Sequence, residues 1–80
     1  MPAINVKLYN LATSMNVDGF QIQDNNNGGA SWSVNVRGGD EYPFQAQADE
    51  QNYGDLTITR IESGVPNHFS FVRDGDVLRV

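Results

Sequence analysis

The run from Asp24 to Gly29 holds one carboxylate, three amides and two glycines, and the chain's only tryptophan, Trp32, follows it. Oxygen donors at close spacing with glycine between them invite comparison with a calcium loop. Asp24, Asn26 and Gly29 match the first, third and sixth positions of an EF-hand loop. Gly28 stands where the fifth position needs an oxygen, and Asn35 replaces the bidentate glutamate of the twelfth. The loop is therefore no EF-hand. An irregular calcium site, with Asp24 joined by Asp40 or Asp76 from another loop, is the one metal reading left open. Asx residues and glycine are also what turns are made of.

The same residue types suit a polar organic ligand. Sugars are held by amide and carboxylate hydrogen bonds and by the face of an aromatic ring. Asp24, Asn25, Asn26, Asn27 and Asn52 are the candidate polar contacts. Tyr53, set in a polar segment, and Tyr9, on the side of its segment away from Ile4, Val6 and Leu8, are the candidate rings. Trp32 shares parity with Val34 and Val36 and reads as a core residue instead.

Reactive groups are sparse. The chain has no cysteine and one histidine, His68. Ser70 lies two residues further along the same face, and that spacing puts the side chains ~6–7 Å apart, too far for direct proton transfer. Paired carboxylates occur (Asp40 with Glu41; Asp49 and Glu50 with Asp55), but a site also needs a cleft. The expectation is a non-enzymatic protein.

Such residues need a scaffold, and 80 residues allow one domain, 1–80. Apolar residues alternate with polar ones at period two: Ile4, Val6, Leu8; Phe20, Ile22; Trp32, Val34, Val36; Phe44, Ala46, Ala48; Leu56, Ile58; Phe69, Phe71; Leu78, Val80. Turn-forming residues separate these runs. The pattern predicts an all-β fold of about seven short antiparallel strands, as a small sandwich or a partly open barrel. Pro43 belongs on a sheet edge or at a strand start. Asp74-Gly75 predicts a two-residue hairpin in which Val72 faces Val77, Phe71 faces Leu78 and Phe69 faces Val80. That register puts Phe69 and Phe71 in the core, and makes Val72 and Val77 an exposed apolar pair, a candidate oligomer contact.

The net charge of −5, from ten acids and five scattered bases, offers no basic stripe for nucleic acid. No apolar run approaches the ~20 residues of a membrane span. The first ten residues show no charged-then-apolar leader, so the protein is intracellular or has lost a leader; the lack of cysteine leans toward the cytoplasm. The reading is a lectin-like binding module for a carbohydrate or other polar ligand. The alternative is an oligomerising interaction or structural subunit with no small ligand. No cofactor is expected beyond that weak calcium site, and self-association suits a small chain without disulfides.

Overall fold

Residues 2–80 are described by a computed structural model. Seven strands form: β1 Ala3–Tyr9, β2 Val17–Asp24, β3 Ala30–Arg37, β4 Glu41–Gln47, β5 Gly54–Arg60, β6 Pro66–Val72 and β7 Val77–Arg79. They make two sheets, one of three strands in the order β4-β1-β7 and one of four in the order β3-β2-β5-β6. The result is a small β-sandwich, not a closed barrel, with no helix among the described residues.

The alternation explains the packing, because successive strand side chains point to opposite faces. Ile4, Val6 and Leu8 of β1, with Ala46 of β4 and Leu78 of β7, face Phe20, Ile22, Val36, Leu56, Ile58 and Val72 of the other sheet. Trp32 is half-buried and packs on this core, as its parity requires. Its ring meets Phe44 edge-on at 5.9 Å, so β3 and β4, edge strands of opposite sheets, close one side of the sandwich together. Pro43 lies on edge strand β4, where its missing N–H interrupts no interior ladder.

The C-terminal region departs from the sequence reading. β6 pairs with β5, whereas β7 runs parallel to β1 in the other sheet, with Lys7 beside Val77 and Leu8 beside Leu78. There is no β6–β7 hairpin. A turn of the expected type needs positive φ at both central residues, and here Gly75 (φ 88°) has it while Asp74 does not. The two flanking acids hold the chain in its crossing instead. Asp74 Oδ1 accepts the Asn5 N–H at 2.7 Å, and Asp76 Oδ2 accepts the Arg73 N–H at 2.8 Å. Gly75 N–H donates to the Asn5 carbonyl at 2.7 Å, strapping the segment onto β1.

A second correction concerns parity within β6. Leu56 pairs with Phe69 but Gly54 pairs with Val72, so β6 carries one extra residue in a β-bulge. The bulge turns Val72 inward, to 2% exposure, and Phe71 outward, to 73%. Phe71 is therefore not a core residue. Val72 is one, and with Val77 in the other sheet the two valines form no shared surface. Gly54 makes room for the inward turn, since a Cβ there would sit 2.9 Å from Ile4 Cδ1 and 3.4 Å from Val72 Cβ.

This topology sorts the connections into two ends. The Pro2 end gathers the start of β1 and segments 25–29, 48–53 and 73–76, joined by bonds such as Ala48 N–H to Pro2 C=O and Asn25 N–H to Asp55 C=O. The Asn10 end gathers 10–16, 38–40 and 61–65, joined through Asn10 N–H to Asp40 C=O and Ile61 N–H to Gly19 C=O.

Candidate functional site

The Pro2 end carries a cleft of about 630 Å³ whose polar wall comprises Asn5, Gln51, Asn52, Tyr53, Arg73 and Asp74. Three pieces of chain position these groups. Asn5 comes from β1, Gln51 to Tyr53 from the β4–β5 loop, and Arg73 and Asp74 from the crossing between sheets. The β4–β5 loop is stiffened by its own second residue: Asp49 Oδ1 accepts the N–H groups of Gln51 (2.8 Å) and Tyr53 (2.9 Å). The backbone of Asp49 bonds the Tyr53 carbonyl at 2.8 Å and the Asn52 N–H at 3.1 Å. Asn52 completes the turn at φ 67°, a conformation asparagine tolerates better than most residues.

Tyr53 is the aromatic wall. Phe71 meets it edge-on at 5.5 Å, and the Arg73 guanidinium lies 5.8 Å from its ring centroid. The ion pairs among the described residues are Lys7–Glu41, Asp18–Arg60 and Asp55–His68, so Arg73 brings to the cleft a cation whose contact is the Tyr53 ring and not a carboxylate.

The sequence-predicted residues divide by role. Asn52 and Tyr53 line the cleft. Asp24 and Asn26 support it from behind: Asp24 is buried, and its Oδ2 accepts the Gln47 N–H at 2.9 Å. Its Oδ1 is buried and meets no donor. The Asn26 amide donates to the carbonyls of Gln47 (3.2 Å) and Tyr53 (3.1 Å), pinning the β2–β3 loop to the β4–β5 loop. Asn25 turns to the outer face of β5, donating to Asp55 Oδ1 (2.8 Å) and Thr57 Oγ1 (3.1 Å). Asn27 is exposed at the turn, where its N–H donates to the Asp24 carbonyl. Tyr9 ends β1, six residues from Ala3, about 20 Å away at strand rise, and shares no site with Tyr53.

The same geography separates one of the two carboxylate pairs considered for calcium. Asp24 belongs to the Pro2 end and Asp40 to the Asn10 end, while Asp76 Oδ2 is engaged by the Arg73 N–H. No group of three or more metal-ligating acids or histidines occurs among the described residues. His68 Nε2 lies 2.6 Å from Asp55 Oδ1 on the outer face of β5 and β6. Burial of the Asp55 carboxyl works against ionisation, but the hydrogen bonds of Asn25 and His68 and the His68 charge outweigh it and hold its pKa below the usual value.

Sequence reasoning missed Asn5, Gln51, Arg73 and Asp74 as cleft residues. Arg73 and Asp74 were legible only as turn chemistry, because their neighbours depend on which sheet the chain enters next. No family model, curated protein or solved structure matches this chain. Its class rests on the fold itself, a seven-stranded β-sandwich of two mostly antiparallel sheets.

Proposed function

We propose that this protein is a non-enzymatic, lectin-like binding module, and that its ligand, a carbohydrate or similar polyhydroxylated molecule, seats in the cleft at the Pro2 end. The observation that carries this reading is the convergence of an aromatic ring with amide, carboxylate and guanidinium groups in one concavity. Small-ligand sites are concave and fix orientation through placed polar groups, and the largely polar lining of this one suits a hydroxylated ligand. The self-bonded loop under Asn52 and Tyr53 favours binding further, since less side-chain and backbone freedom is lost on association. A glycan array, followed by titration of the best hits against Tyr53→Ala, tests it. Tyr53→Ala should lower affinity by roughly two- to twelvefold, in line with one lost aromatic contact. Unchanged affinity would remove the cleft from consideration.

A second reading, self-association, draws on another surface. Of the six exposed large apolar side chains among the described residues, Leu11, Met15, Ile61 and Val65 lie in the segments of the Asn10 end and Val17 directly follows one of them. Clustered exposed apolar side chains favour contact between copies, and this surface replaces the valine pair as its basis. Light scattering at high micromolar concentration decides it, a monomer ending the idea.

A further inference from the structure

We propose that the cleft selects sugars that carry a carboxylate, with Arg73 as the residue that recognises the acid and Tyr53 as the ring against which the sugar lies. The inference rests on the lectin-like reading and narrows it to one ligand chemistry. Three observations support it. First, Arg73 is in no ion pair among the described residues, although acids outnumber bases two to one in this chain and Asp74 and Asp76 are its near neighbours in sequence. The carboxylates of those two neighbours are turned to backbone N–H groups, Asp74 to Asn5 and Asp76 to Arg73 itself. The guanidinium is thus left with its planar fork of donors open, the geometry that takes a carboxylate in two parallel hydrogen bonds.

Second, that guanidinium stands over the Tyr53 ring, 5.8 Å from its centroid, and both groups line the same cleft. A pyranose offers the matching pair of features, C–H groups on a ring face and, in a uronic acid, a carboxylate at its edge. Third, the neighbourhood keeps a strained residue. Phe71 holds φ 56°, a region that favours glycine, and spends its side chain 73% exposed and edge-on to Tyr53. Strain of this kind gathers at ligand sites. Here it sets a second ring perpendicular to that of Tyr53. The net charge of −5 opposes long anionic polymers at a distance, which points to a terminal or isolated acidic sugar rather than a polyanion.

The test is an NMR titration of the full chain with two matched pairs of probes, methyl glucuronide against methyl glucoside and methyl galacturonide against methyl galactoside. The members of each pair differ only in the carboxylate. At least one acid should bind about tenfold more tightly than its neutral twin, the equivalent of one charge-assisted interaction. The shifts should centre on the Arg73 Nε–H and the Tyr53 ring. Arg73→Gln should erase the preference and Arg73→Lys keep part of it, because lysine retains the charge without the fork. Both variants change an exposed side chain, and their amide spectra report whether the fold persists. Equal affinity within each pair would overturn the acid selectivity and leave the lectin-like reading intact. Absence of binding by all four sugars would overturn the acidic-sugar proposal, and absence of any hit on the glycan array would overturn the lectin-like reading as well.

Discussion

Phe71 and Val72 are adjacent, yet mutation should separate them sharply. Val72 is 2% exposed and packs beside Gly54 and Ile4. Truncation to alanine removes two buried methyl groups and leaves a cavity, so Val72→Ala should cost about 2–3 kcal/mol. Phe71→Ala removes only its edge-to-face contact with Tyr53, worth about 0.5–1.5 kcal/mol, and keeps the positive φ. A core phenylalanine would cost about 3–5 kcal/mol instead. Urea denaturation of the two variants measures the difference, and a Phe71→Ala loss larger than that of Val72→Ala would refute the bulge. The alternation of Phe69 with Phe71 suggested the opposite assignment. Period-two reasoning assumes an unbroken ladder, and a single inserted residue exchanges the two faces from that point onward. No glycine marks the bulge position, so the sequence carried no warning of it.

Among the elements, the strands themselves were legible, since each alternating run became a strand and the inward residues of β1 to β5 are those the period selects. What the sequence did not disclose is which strand each one joins. Asp74-Gly75 is a strong local turn signal, but pairing with β1 is a contact about 70 residues away in sequence, settled by burial of Leu78 and by the acids that bond Asn5 and Arg73. The cleft was half legible for the same reason. Asn52 and Tyr53 stood out as residue types, whereas Arg73 and Asp74 acquire their place only through that crossing. Cross-linking tests the pairing directly. Cysteines at Lys7 and Val77, neighbours in the parallel register, should oxidise readily to a disulfide that retains the fold. Cysteines at Val72 and Val77, which the hairpin register would set face to face, should stay reduced in the native protein. The reverse outcome would restore the hairpin.

For the molecule as a whole, the two sheets need tying at their ends, because an 80-residue sandwich without disulfides has a small core. The Asn10 end does this with a polar network. Arg60 of β5 donates to Asp18 Oδ2 of β2 at 2.7 Å, to Asn10 Oδ1 at 2.9 Å and to the Val80 carbonyl at 3.1 Å, while its guanidinium lies 4.7 Å from the Phe20 ring centroid. Asn10, buried at the end of β1, donates in turn to Asp18 and to the Val36 carbonyl, both at 2.9 Å. One sheet thus contributes Asp18, Val36 and Arg60, and the other is reached through Asn10 and Val80. The Asn10 hydrogen bond lowers the Asp18 pKa most; desolvation opposes it, and the hydrogen bond and charge of Arg60 add to the lowering. A carboxyl whose folded pKa lies below its unfolded value binds fewer protons when folded. Its contribution is complete above the unfolded value, near 4, and is lost as pH falls through the folded value. Asp55 acts in the same direction through Asn25 and His68. Stability should therefore hold from neutral pH down to about 5 on account of these groups and decline below about 4. Asp18→Asn should be less stable than the parent at pH 7 and should lose less on acidification, so the two curves of denaturation midpoint against pH converge at the acid end. Parallel curves would mean that Asp18 titrates alike in the folded and unfolded chains, and that the network holds the sheets together without help from its charge.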